Sequence, residues 1–411
     1  MEQWNMIFNT ENLSEVPFKG SIHDYFYAQS YGEFNVVFDL QYVQVSGDAE
    51  KYASTYDADD NSQYLVEDIM DVLKERDIDW SLYDWNGDGY INQLLIVYAG
   101  HGMNDSGGDT NLIWPHQWWM SEHLKDGQEG VYCEPIPVSY DDKDYLVDCY
   151  CALAELTGRN DYGSFGTICH EYSHCFGFPD FYYNNSSYLY SWELMDYGNY
   201  NGGGYGPPCY SAHERWLMGW LTPIEVTEDI VVADIPALCD EPQAYLIRND
   251  GCENEYYIVE NRQQQGWDAT LPGSGIVVFH IDYDPYIWTI DFPNGNSLKR
   301  YTIFPANNST YSRNGWAYPY QANDSLTSMS KPAATLNNAN SDGTKFMNKS
   351  IYDMKVDDGL ASMRFVVDTS SPAGIQEQKT EGDPCELYRI GPVSILRYPD
   401  GVVRKVVNPK P

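Results

Sequence analysis

The sequence predicts an α/β domain, then an all-β sandwich, then a short C-terminal β-hairpin tail. Three observations lead there. Over residues 1–222, helical and strand periodicities alternate. After Pro223, short alternating runs take over, among them "EVTEDIVVADI", "EYYIVENR", "GIVVFHIDY" and "ASMRFVVD". Turn residues separate them and no long helical window remains, as in a sandwich. Finally, "DTSSPAGIQEQKTEGDP" reads as a polar linker, and "LYRIGPVSILRYPDGVVRKVV" as a hairpin, basic in an acidic chain. The expected division is 1–222, 223–368, a linker at 369–384 and a tail at 385–411.

The elements follow in order. "GSIHDYFYAQSY" (20–31) predicts a short helix capped by Ser21. "FNVVFDLQYVQV" (34–45) alternates and predicts a strand, and "SQYLVEDIMDVLKERDI" (62–78) has apolar residues at helical spacing. "INQLLIVYAG" (91–100) and "LVDCYCALAEL" (146–156) predict buried strands. "SAHERWLMGWL" (211–221) opens with Ser211 and Glu214 in capping-box spacing.

The totals exclude some partners. The chain has 411 residues and a net charge of −37, which repels nucleic acid and anionic membranes. No stretch approaches the roughly 18 apolar residues of a membrane span. The opening "MEQWNMIFNTENLSEV" lacks the basic start and apolar run of a signal peptide. The nine cysteines are an odd number and do not read as a disulfide framework. Cys149 and Cys151 are two apart, and Cys169 and Cys175 flank a pair of histidines.

That pair lies in "TICHEYSHCFGFPDFYYN" (167–184). At 100° per residue, His174 falls about 40° and Glu171 about 100° from His170. Phe165, Ile168, Cys169, Tyr172, Cys175 and Phe176 occupy the opposite face. Two imidazoles one turn apart can hold one metal ion, while Glu171 points beside it. Gly177 suits a left-handed helix end, and the returning chain offers Asp180 as a third ligand. Two nitrogens, one oxygen and an open fourth position suit zinc, with Glu171 as general base and acid for a water of lowered pKa. The plain alternative is a surface helix that carries two histidines.

"HEYSHCFGFPD" resembles the extended zinc motif of the metzincin-like peptidases. The Asp form with a preceding Pro looks like the M-six, immune inhibitor A-like family of secreted bacterial zinc metallopeptidases. "WELMDYG" resembles the Met-turn of such enzymes, with Met195 under the metal. Tyr197, two residues on, is by resemblance a stabiliser of the reaction oxyanion. The likeness continues through "DWNGDGYINQLLIVYAGHG", "NLIWPHQW", "ERWLMGWL" and "DGTKFMNKSIYDM", over residues 1–368. It implies a metzincin-like α/β catalytic domain and protein substrates outside the cell. The family's signal and pro-segment do not occur in this sequence. Glu193, 19 residues after His174, competes with Asp180 as third ligand, because thermolysin-type enzymes place a glutamate at such a distance.

Other segments offer weaker sites. "DWNGDGYIN" (84–92) has EF-hand-like spacing, with Asp84, Asn86, Asp88, the Tyr90 carbonyl and Asn92 as calcium ligands. Position 12 is Leu95 instead of a glutamate, and an acidic turn before a strand is the competing reading. His280, Asp282 and Asp284 read as structural. His101 and His116 flank a loop expected to be solvated, and His213 a packed or surface histidine. "NGGGYGPP" (201–208) reads as a flexible turn. The basic tail resembles terminal sorting or anchoring tails of some surface-directed bacterial proteins.

The sequence therefore points to a monomeric, secreted or cell-surface zinc metalloendopeptidase. His170, His174 and Asp180 are its metal ligands, and Glu171 and Tyr197 act on an extended peptide. A surface binding module with a structural zinc and an aromatic-rich β domain is the rival. Glu171 argues against it, since a structural zinc needs no base beside it.

Overall fold

The computed structural model describes residues 1–53, 61–158, 161–162, 165–184 and 186–367, and the backbone of three strands between 385 and 407. The expected linker at 369–384 lies outside the described residues. The chain is mixed α/β, with several sheets and few helices. It divides into two compact units, Met1–Leu13 with Val37–Phe176, and Ser14–Val36 with Gly177–Pro411.

The first unit holds two three-stranded sheets. In one, Tyr90–Ile91 runs parallel to Lys143–Val147, which pairs antiparallel with Ile136–Tyr140. In the other, Cys149–Leu156 is central, parallel to Leu94–His101 and antiparallel to the edge strand His116–Trp119. Helix Ser62–Leu73 turns Leu65, Val66, Ile69, Met70 and Leu73 inward, at the spacing that makes one apolar face. These join Ile91, Ile96, Val147 and Tyr150 in one core. The helix stops at Leu73, short of the predicted end, where the pattern turns to "KERD" and offers nothing to bury.

In the second unit, helix Ile22–Gln29 is capped by Ser21, as the sequence predicts, and Asp24 completes a capping box. Gln29 Oε1 accepts from Tyr210 N (2.9 Å) and from Arg215 Nη2 (3.0 Å), and Tyr25 OH donates to the Pro208 carbonyl (2.7 Å). These bonds group the early helix with residues near 210. A five-stranded sheet runs Tyr301–Ile303, Gly275–Asp282, Cys252–Arg262, Tyr245–Asn249, Ile224–Glu225. Every residue of Gly275–Asp282 is buried, the mark of a central strand covered on both faces. A three-stranded antiparallel sheet joins Lys349–Asp357, Leu360–Val367 and Ile230–Ile235. Ile247, Tyr257 and Val278 of the first sheet share a core with Ile235, Ile351 and Phe365 of the second.

Two expectations change. Residues 34–45 form no strand. Their backbone is met by side chains instead: Asn9 Nδ2 donates to the Phe38 carbonyl (2.8 Å), Asn9 Oδ1 accepts from Phe38 N (2.8 Å), and Arg76 Nη2 donates to the Tyr42 carbonyl (2.6 Å). A strand pattern without a neighbouring ladder stays an extended chain. The tail is a three-stranded antiparallel meander, Cys385–Ile390, Val393–Arg397 and Val403–Val407, one strand more than the expected hairpin. The stretch before "GPVSILR" pairs as readily as the one after it.

Candidate metal centre

Helix Phe165–His174 lies in the first unit and is buried from Phe165 to Ser173. It packs on strand Cys149–Leu156, where the Cys151 thiol donates to the Glu171 carbonyl (3.4 Å). Cys175, on the apolar side of the wheel, meets Cys149 and Cys151 of that strand at 3.7 Å each. The opposite face is buried too, which a surface helix would not show.

His170, Glu171 and His174 bring one ligand atom each to within 4.8 Å of one another, and they are the one such metal-capable group found among the described residues. The imidazole rings stand at 90° with centroids 5.0 Å apart. Glu171 Oε2 lies 3.9 Å from His174 Nε2. Two nitrogen donors and a neighbouring carboxylate thus meet where water is largely excluded, with His170 only 3% and Glu171 8% exposed. This donor set fits a borderline-soft divalent ion such as zinc. The helix ends as a tight turn: Cys175 N donates to Tyr172 O (3.1 Å) and Phe176 N to Ser173 O (3.0 Å). Gly177 follows at φ +88°, in the left-handed region the sequence assigned to it.

The remaining predicted residues belong to the second unit. Asp180 N donates to Asp291 Oδ1 (2.5 Å). Phe181 N donates to the Met195 carbonyl (2.8 Å), which lays the Asp180 turn beside the Met195 turn. Met195 is fully buried. Asp196 braces the same turn by accepting from Ser187 Oγ (2.5 Å), Tyr188 N (3.0 Å) and Leu189 N (2.8 Å). Gly198 N donates to the Glu193 carbonyl (2.9 Å). A Cβ at Gly198 would stand 2.3 Å from that same oxygen, so only glycine fits there. Tyr197 is half-buried between Tyr182 and Tyr190, at ring separations of 5.8 and 6.3 Å. Burial raises its phenol above the ordinary range, which keeps it a donor.

Glu193 is fully buried and turned toward Glu214. Its Oε1 takes the Met195 N–H at 3.4 Å. Oε2 of Glu193 and Oε1 of Glu214 are each buried without a donor. One proton held between the two carboxyl groups would satisfy both oxygens. Burial first, and then the neighbouring Glu214, push Glu193 well above the carboxylate range. The spacing signal that nominated it sees distance along the chain and is blind to this partner.

In the 84–92 loop, Gly89 N donates to Asp84 Oδ2 (3.1 Å), Asn86 Nδ2 to Asp88 Oδ2 (2.7 Å) and Tyr90 N to Asp88 Oδ1 (2.9 Å). Asn92 Oδ1 is taken by Trp85 N at 2.6 Å. Asp84 Oδ1 and Asn86 Oδ1 are buried without a hydrogen-bond donor. The Lys143 ammonium lies 3.6 Å from Asp84 Oδ2.

His116, which flanks the loop, is buried at the start of an edge strand. Its Nδ1 donates to the Trp114 carbonyl (2.6 Å), leaving Nε2 to meet Tyr150 OH (3.0 Å) and Ser62 Oγ (3.2 Å). His123 Nε2 joins the same hydroxyl at 2.7 Å. His280 Nε2 is bonded to Glu255 Oε1 at 2.7 Å. His213 is wholly buried against Tyr256.

The family model described as "Immune inhibitor A peptidase M6, catalytic domain" matches residues 3–218. The chain is also 26% identical over 239 residues to "Immune inhibitor A" of Bacillus thuringiensis subsp. alesti. That match covers 49% of this chain and 33% of the relative, so the chain spans about a third of the length of that protein. Among the described residues no helix is long and apolar enough to cross a membrane. With a metal-capable His–Glu–His helix inside the matched region, the chain belongs to the immune inhibitor A peptidase M6 family, a family of metallopeptidases.

Proposed function

We propose that this chain is a zinc-dependent endopeptidase acting on extracellular proteins. The observation that carries the reading is the convergence of His170, Glu171 and His174 on a buried helix. His170, His174 and Asp180 would hold the ion, which supplies Lewis-acid charge and a water of lowered pKa. Two points support Asp180 over Glu193. Asp180 sits in the turn bonded to Met195, and Glu193 has its carboxyl engaged with Glu214. Glu171 takes a proton from the attacking water and passes it to the leaving amine. Tyr197 donates its hydroxyl proton to the oxyanion that forms at the scissile carbonyl. A peptide adds along an edge of the sheet that contains Cys149–Leu156. The catalytic division 1–222 is part of this proposal, supported by a family match that ends at residue 218. The β-rich residues 223–368 would form a sandwich, supported by the core its two sheets share. Secretion or surface display accords with the net charge of −37.

The test pairs zinc stoichiometry with casein hydrolysis, for the parent chain and Glu171→Ala. One zinc in each, with chelator-sensitive cleavage by the parent alone, is the expected result. Zinc in both and cleavage by neither would leave a non-catalytic binding module. No zinc in either would remove the metal reading.

We also propose calcium at 84–92, held by Asp84, Asn86, Asp88, the Tyr90 carbonyl and Asn92. Two buried oxygens without donors support it; the Lys143 ammonium would have to swing away. Calcium should raise the thermal midpoint of the parent and leave that of Asp84→Asn unchanged; equal shifts in both would remove the site.

A further inference from the structure

Cys149 and Cys151 lie two apart on strand Cys149–Leu156, which turns both side chains to one face. Cys175 directly follows the metal helix. Its Sγ stands 3.7 Å from that of Cys149 and 3.7 Å from that of Cys151. All three belong to the first unit. Gln117 Nε2 donates to Cys149 Sγ at 3.3 Å, and the Cys151 thiol donates to the Glu171 carbonyl at 3.4 Å. Cys151 is buried, whereas Cys149 and Cys175 are half-buried.

The trio is a poor three-thiolate metal cage. Among the described residues no three-cysteine group has all its sulfurs within 4.8 Å, so Cys149 and Cys151 stand farther apart than that. Two zinc–sulfur bonds span at most about 4.6 Å. A disulfide bond is about 2.05 Å long, so each contact with Cys175 closes by a shift of roughly 1.7 Å. One sulfur with two partners, and two partners too far apart to pair, is the geometry of a shared disulfide partner.

We propose that Cys149, Cys151 and Cys175 form an oxidation site, with Cys175 the shared sulfur of an intramolecular disulfide and a low-molecular-weight disulfide as oxidant. The Cys175 thiolate attacks one sulfur of the reagent, breaks its S–S bond and releases one thiol after proton uptake. The Cys149 thiolate then attacks Cys175 Sγ in the mixed disulfide and releases the second thiol. Two protein sulfurs are oxidised and one reagent disulfide is reduced to two thiols. Cys149 closes first, being the more accessible partner. Cys151 keeps its thiol and can exchange into the bond through Cys175. The cross-link ties the residue after His174 to the strand beneath the helix. Contact with Cys175 and burial hold the Cys149 thiol well above the ordinary thiol range, and the reaction is followed over hours.

The experiment treats the full chain with oxidised glutathione, counts free thiols and maps cross-links by fragmentation of unreduced peptides. Two thiols should disappear and a Cys149–Cys175 link should form, reversible by dithiothreitol. Cys149→Ser should divert the link to Cys151–Cys175, and Cys175→Ser should abolish it. The Cys149→Ser/Cys151→Ser double variant should also abolish it and keeps the test decisive should Cys175→Ser misfold. Stable glutathione adducts without a cross-link, a link through Cys169, or unchanged thiols would each overturn the proposal.

Discussion

Arg262 grips Asp268 at two points, with Nε and Nη2 each 2.7 Å from one carboxylate oxygen. The same guanidinium donates to Glu260 Oε1 (3.0 Å) and to the Cys209 carbonyl (3.0 Å), and all three charged side chains are essentially fully buried. A planar fork matches a carboxylate edge where a lysine ammonium cannot. Asp268 in turn accepts from Cys209 N at 2.8 Å, which ties strand Cys252–Arg262 to the segment before helix Ala212–Leu217. Removing the cation strands two buried carboxylates.

Arg262→Met should therefore destabilise the protein by about 3–5 kcal/mol. Arg262→Lys should recover only part of that. Denaturant midpoints of the two variants check it; a loss under about 1 kcal/mol for Met would show that the carboxylates find other partners.

The Glu193–Glu214 pair predicts a decline on the alkaline side. In the unfolded chain Glu193 loses its proton near its ordinary value of 4.5, whereas in the fold it keeps the proton far above that. Between those two values the unfolded state binds fewer protons, so stability falls as pH rises, by at most about 1.4 kcal/mol per unit. Glu193→Gln gives Glu214 a neutral donor. It should flatten the slope of unfolding free energy above pH 5; a slope equal to the parent's would show that no proton is shared.

The two histidines on Tyr150 predict the opposite limb. Burial lowers His116 and His123 to about 4. As pH falls from 6.5 the unfolded chain takes up protons that the fold refuses, so stability is lost between about 6.5 and 4. His123→Gln keeps a donor to the Tyr150 hydroxyl without the charge. Its stability should fall less steeply over that window, read by chemical denaturation at pH 7, 6 and 5.

Gly198 predicts a geometric effect. Its Cβ position collides with the Glu193 carbonyl and lies 2.8 Å from Pro208 Cγ. Gly198→Ala must open the turn that carries Met195 and Tyr197, at about 1–3 kcal/mol. On the function proposed above, caseinolysis should fall more than tenfold while His170 and His174 still bind zinc. Activity at the parent level would separate Tyr197 from the reaction.

The sequence by itself determined the local features. Ser21 and Ser211 each start a helix with a capping box, because a cap is written within four residues. The His–Glu–His face of helix Phe165–His174 and the left-handed Gly177 follow from 3.6-residue periodicity and the missing Cβ. The change of texture after Pro223 reads correctly as β structure, because alternation records which side of a strand is buried. Tertiary structure alone decided the rest. Whether 34–45 became a strand depended on a neighbouring ladder, and Asn9 and Arg76 took that place. Glu193 meets Glu214, Arg262 meets Asp268 and Cys175 meets Cys149 only once the chain has closed. Their energies come from burial and from partners remote in sequence or carried on separate elements, and no spacing rule contains either.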